Sequence, residues 1–172
     1  MYKRQDILPL EKTLVDDTVR IIIPSVRPSR ANPIIPTIKP STQKDQDLYV
    51  RRLCDTLNGW AKTGPVTVQG RAAGSSTLGI GVAILKRNRP GEVSSGPPND
   101  LGDLLTALEH LRGITSQKLN TLELIRGAKV FDRDRLYLVK PIGQRFWTET
   151  AALNDADEIA ATILMQTGQG VA

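Results

Sequence analysis

Apolar residues along this chain recur with two different periods, and each period predicts its own kind of element. From Asp45 to Ala61, Leu48/Tyr49, Leu53, Leu57 and Trp60 return every three to four residues, the stripe of an amphipathic helix. Asp45 or Asp47 can cap it, and Asn58-Gly59 with Thr63-Gly64-Pro65 marks its exit. Asp100 precedes a second helical stretch, Leu101 to Leu111, whose Leu104, Leu105 and Leu108 share a face and whose stop is Gly113. A third helix is predicted over Gln117 to Arg126, with Leu119, Leu122 and Ile125 inward and Gly127 at its end. In the last stretch Asn154 stands as an N-cap. Asp155, Asp157 and Glu158 lie where a helix dipole favours carboxylates, Ile159, Ile163 and Leu164 follow at helical spacing, and Gly168 is the stop.

The shorter period gives strands. Val66 to Arg71 and Leu78 to Lys86 read as an antiparallel pair, with Gly79 and Gly81 marking a bulge or a close backbone approach. Ala128 to Phe131 and Arg135 to Lys140 read as a second hairpin, because Asp132-Arg133-Asp134 is turn chemistry and Pro141 ends the apolar run. Thr18 to Ile23 is β-branched and predicts a further strand. Pro24, Pro28, Pro33, Pro36 and Pro40 then impose an extended, largely polyproline segment containing a P-x-x-P pattern at Pro33 to Pro36. The order predicts an α+β fold: a mostly antiparallel sheet built from two hairpins, covered on one face by about four helices. One core is expected, holding Leu53, Leu57, Trp60, Leu104, Leu108, Leu122, Leu138, Phe146 and Ile159.

Composition narrows the classes. The chain of 172 residues is long enough for one domain with a real core. Three regions are expected: a lead-in over residues 1–17, a strand and proline-rich segment over 18–43, and a single α+β domain over 44–172. Met1-Tyr2-Lys3-Arg4-Gln5 resembles a translated sequencing-adapter scar of the kind found at the ends of metagenomic fragments, so the lead-in is expected to be disordered and non-native at its start. No apolar run approaches the roughly 20 residues that span a bilayer. One cysteine, Cys54, excludes an internal disulfide framework and fits a reducing cytoplasm. With one histidine, His110, there is no donor set for a structural zinc. The formal charge of +5 allows a nucleic-acid partner without demanding one.

Candidate chemistry is sparse. Gly74 to Gly79 lacks the spacing of a phosphate-binding loop, and Gly79-Ile80-Gly81 has no third glycine and no helix behind it. No nucleophile–base pattern or cofactor signature is present. Asp132, Asp134 and Lys140 lack the acid-x-Lys element of a metal-dependent nuclease, and turn formation accounts for the aspartates. Asp155, Asp157 and Glu158 could hold Mg²⁺, but helix capping explains them equally. What remains is cationic. Lys86, Arg87 and Arg89 cluster at a strand exit, and Lys140, Arg145 and Trp147 place cations and an indole close together. Such groups contact phosphate or stack on a base. The alternative at Arg145-Phe146-Trp147 is that both aromatics anchor the core.

Leu136 to Pro141, Arg145 to Thr148 and Ala152 to Asp157 together resemble the C-terminal end of large bacterial adenine-specific DNA methyltransferases of restriction–modification systems. The resemblance covers about 35 residues and includes neither the glycine-rich cofactor loop nor the N/D-P-P-Y/F tetrapeptide of that family, so it carries no catalytic residue over. It implies a non-catalytic accessory domain at the end of a longer, DNA-modifying polypeptide. Such a domain would touch DNA through its backbone or dock on its own upstream catalytic domain, with no cofactor and no membrane partner. The alternative is a protein–protein interaction module unrelated to DNA.

Overall fold

The computed structural model describes residues 8–26, 39–60, 67–75, 79–88, 127–132 and 134–168. The helices expected over 101–111 and 117–126, and with them Arg89 and His110, lie outside the described residues. Among those described, the class is α+β: three helical segments and a four-stranded sheet.

The sheet is built from β1 (Thr67–Ser75), β2 (Ile80–Asn88), β3 (Ala128–Asp132) and β4 (Arg135–Pro141), in the order β1-β2-β4-β3. Every neighbouring pair is antiparallel. The two expected hairpins are therefore joined through their second strands, with Ala83 opposite Leu138 and Val82 opposite Val139. Gly79, with φ at +69°, makes the entry into β2.

The two central strands are buried on both faces, where the sequence suggested cover on one. Gly81 to Leu85 and Leu136 to Lys140 are buried without a break, and successive strand residues point to opposite sides. On one face Ala72, Ala83, Leu85, Leu136 and Leu138 join the helices in the main core; on the other Val82, Ile84, Tyr137 and Val139 form a second cluster. The near-continuous apolar run in β2 and β4 is what burial on both faces requires.

Helix α1 opens over Pro9–Asp17, widens to a π-helix over Thr18–Ile22 and closes over Ile23–Val26. The strand expected at Thr18 to Ile23 is corrected, and Pro9–Asp17 of the expected lead-in is helical. The partly or fully buried positions are Thr13, Asp17, Thr18, Ile21, Ile22 and Ser25, a helical spacing. Packing of that face outweighs the β-branched propensity, which is a weak prior. The widened turn sits just ahead of Pro24, whose ring has no N–H for Arg20 and crowds its carbonyl.

Helix α2 (Gln43–Trp60) starts two residues before the predicted boundary. Thr42 is its N-cap: the Asp45 N–H donates to Thr42 Oγ1 at 3.2 Å, and Asp45 Oδ2 accepts from the Thr42 N–H at 2.8 Å, a reciprocal capping pair. Leu53 is fully buried and Leu57 packs at the margin of the core, but Trp60, expected inside, is half exposed at the helix end.

Helix α3 (Glu149–Gly168) begins five residues before Asn154, which is exposed on its second turn. Thr148 is the cap instead, its Oγ1 accepting from the Ala151 N–H at 3.0 Å. Asp17 of α1 adds a carboxylate oxygen 2.8 Å from the Thr150 N–H, so two side chains satisfy the orphan donors of this helix start. Ala152, Ala156 and Ile159 face the sheet. None of the described helices is long and apolar enough to cross a membrane.

Candidate functional site

The densest polar chemistry lies where α2, β4 and α3 meet. Tyr49 is fully buried, and its hydroxyl donates to Asp155 Oδ2 at 2.6 Å. Lys140 Nζ also bonds Asp155 Oδ2, lies 3.4 Å from the Tyr49 hydroxyl and sits 4.5 Å from the Tyr49 ring centroid. Lys129, on the edge strand β3, lies 3.7 Å from Asp155 Oδ1 and pairs with Glu158 one helical turn further on. Burial holds the Lys140 ammonium below its usual pKa although Asp155 pulls the other way, and burial together with Asp155 pushes the Tyr49 phenol well above 10.0.

This network ties α2, β4 and β3 to α3 through one carboxylate. It satisfies its own charges, with Lys140 side-chain exposure at 8% and Asp155 at 16%. Asp155 is committed to Tyr49 and the two lysines rather than to a metal, and among the described residues no three His, Cys, Asp or Glu side chains gather where an ion could be held. A Lys–Asp–Tyr set so enclosed is a structural clamp.

Among the described residues, the cations expected to meet nucleic acid do not form one surface. Lys140 is inside the clamp. Trp147 is 2% exposed; its Nε1 donates to the Pro141 carbonyl at 2.9 Å, its ring meets Tyr49 edge-on at 5.1 Å, and a Cβ on Gly81 would fall on it. No face of the indole is left for a base. Arg145 lies over Phe146, 4.7 Å from the ring centroid, past the end of β4. Lys86 and Arg87 lie at the far end of β2, and being consecutive they point to opposite faces of the sheet. Ile80 pairs with Pro141 and Lys86 with Arg135, so about 20 Å of strand separates the two ends.

A different site stands open along the outer edge of β1. Helix α2 runs beside this strand in the opposite direction: Gln46 approaches Gly74, Val50 and Cys54 approach Gly70, and Asn58 approaches Val68. The contact is close because a Cβ on Gly70 would lie 3.0 Å from Val50 and 3.1 Å from Cys54. Asn58 bonds both backbone groups of Val68, donating to its carbonyl at 2.9 Å and accepting from its N–H at 2.7 Å. Gln43 donates to the Ala72 carbonyl at 2.9 Å.

Those bonds fix the strand's polarity. Val68 turns its N–H and C=O away from β2, so in this unbroken antiparallel register Gly70, Ala72 and Gly74 do the same. Gly70 lies between the two amide side chains, and among the described residues nothing bonds its outward N–H and C=O. A groove of about 570 Å³ surrounds it, with Asp47, Arg51 and Asp55 of α2 as one wall and Val68 to Arg71 as the other. Cys54 is at its base, buried, with burial pushing the thiol up to about 12, so it lines the groove as an apolar surface.

No protein-family model, curated protein or solved structure matches the chain. The sequence pointed to loops and cations and missed the β1 edge, whose signal was small: a glycine inside a strand, at Gly70, beside a helix carrying Gln43 and Asn58.

Proposed function

We propose that this chain is a non-catalytic docking domain that receives an extended peptide along the outer edge of β1. The observation that carries the reading is the outward N–H and C=O of Gly70, set in an open groove between two side chains that close the edge on either side. An unpaired strand edge is a template for another strand, and proteins usually cover it. Here Asn58 and Gln43 cover their parts and leave a gap at Gly70. Peptides added to sheet edges gain affinity from such main-chain bonds. On the resemblance of residues 136–157 to methyltransferase C-termini, the peptide would belong to the catalytic part of a DNA-modifying polypeptide.

The test is a fluorescence-anisotropy titration of the chain with a short β-prone peptide and with the same peptide N-methylated at alternate amides, which removes ladder donors. Binding of the first and loss of at least about tenfold affinity for the second is expected, the loss of one to two hydrogen bonds in a partly shielded groove. Equal binding of both peptides, or of neither, refutes strand addition.

A second reading, contact with DNA backbone, is supported by Lys86, Arg87 and Arg135 at one end of the sheet, Lys86 and Arg135 being cross-strand neighbours. A short DNA duplex titrated at two salt concentrations tests it: phosphate contacts would give affinity that falls steeply with salt.

A further inference from the structure

Given strand addition at β1, we infer that the segment seated there carries basic, acidic and basic side chains at alternate positions on the side facing α2. The wall it would meet is Asp47, Arg51 and Asp55, all exposed and all lining the groove. Residues four apart on a helix are about 6 Å apart along its axis. Residues two apart on a strand are about 6.8 Å apart and point to the same side. Three successive wall charges and three successive same-side strand residues therefore stay in step across the groove, drifting by about 1.6 Å over its length. Helix α2 also runs along β1 rather than across it, from Gln46 at Gly74 to Asn58 at Val68. A strand laid on β1 is thus parallel to the charged row.

The charges choose among occupants. A second copy of this chain, paired edge to edge about a two-fold axis near Gly70, would bring Arg51 towards Arg51 and set Asp47 against Asp55, so the row repels itself. An apolar strand would leave three charges facing nothing. A basic-acidic-basic strand answers each in turn, and because the pattern reads the same in both directions it serves a parallel or an antiparallel guest. Arg51 and Asp55 have no ion pair among the described residues, whereas Asp47 already accepts from Gln43 Nε2 at 2.8 Å, so Arg51 and Asp55 are the positions with most to gain.

The experiment uses the full chain and three labelled seven-residue peptides that differ only on the side facing α2: Lys/Glu/Lys, Glu/Lys/Glu and Ser/Ser/Ser. The expected order is Lys/Glu/Lys tightest, with about tenfold between the two charged peptides at low salt, the effect of several exposed ion pairs made or reversed. Arg51→Glu together with Asp55→Lys, both on the solvent side of α2, should invert that order while leaving the melting curve in place. If the three unmethylated peptides bind equally, the charge pattern is wrong and strand addition stands. If none binds, both are wrong. If the preference survives Arg51→Glu/Asp55→Lys unchanged, charge is being read elsewhere and the inference fails.

Discussion

At the scale of single residues, Asp155 ties α2, β4 and β3 to its own helix. It accepts from Tyr49, neutralises Lys140 and lies within reach of Lys129. Removing one partner of a buried pair leaves the other desolvated and unmatched, which costs about 3–5 kcal/mol. Asp155→Ala is therefore expected to destabilise the chain by that amount in urea unfolding. Replacing both charges, Asp155→Leu with Lys140→Met, should return part of the loss, because two apolar groups of similar size need no partner, while the buried Tyr49 hydroxyl, left without its acceptor, keeps a cost of about 1–3 kcal/mol. If the double variant is as unstable as Asp155→Ala alone, the clamp contributes through more than its charges. Lys140 also shows what local reading misses. The sequence grouped it with Arg145 and Trp147 as a candidate nucleic-acid contact, but its partner Asp155 lies 15 residues on in a different element, and only the packing of α3 over β4 brings the two together.

At the scale of elements, the cap of α3 separates local signal from tertiary context. Asn154-Asp155-Ala156-Asp157-Glu158 has the composition of a helix start, yet the helix begins at Glu149 behind Thr148. The earlier start is available because Trp147 is pinned in the core and because Asp17, more than a hundred residues away in sequence, supplies a second acceptor. Thr148→Ala is expected to cost about 1 kcal/mol, whereas Asn154→Ala, on an exposed second turn, should change stability by less than about 0.5 kcal/mol and favour the helix. Chemical denaturation of the two variants side by side checks this, and a larger cost at Asn154 would contradict the cap. The strands were legible because alternation and turn chemistry act within a few residues: both hairpins lie within four residues of their expected bounds. Helix α1 was not, because its buried face is defined by what it packs on, and its β-branched composition argued for a strand.

At the scale of the whole molecule, the described core hides groups that must ionise when it opens at high pH. Cys54 has its pKa raised from 9.0 to about 12, first by burial and then by Asp55, and Tyr49 is held well above 10.0. For an acid whose folded pKa is raised, the folded state keeps its proton while the unfolded chain gives it up. The stabilising contribution is complete below the unfolded pKa and is lost as pH climbs towards the folded one. For Cys54 that window is about pH 9 to 12, and Tyr49 adds its share above pH 10. Lys140 works in the opposite sense. Its folded pKa is lowered, so below 10.5 the unfolded chain binds more protons, and stability rises with pH until both states are neutral. The wild-type curve mixes these trends, and the difference between wild type and Cys54→Ala separates one of them. That difference is expected to be constant from pH 6 to 8 and then to fall by up to about 1.4 kcal/mol for each pH unit above 9. Urea unfolding under reducing conditions at pH 7, 9, 10 and 11 measures it. A difference that stays flat to pH 11 would mean that Cys54 reaches water in the folded chain. The base of the β1 groove would then be wetter than its geometry shows, and Val50 alone would remain as its apolar floor.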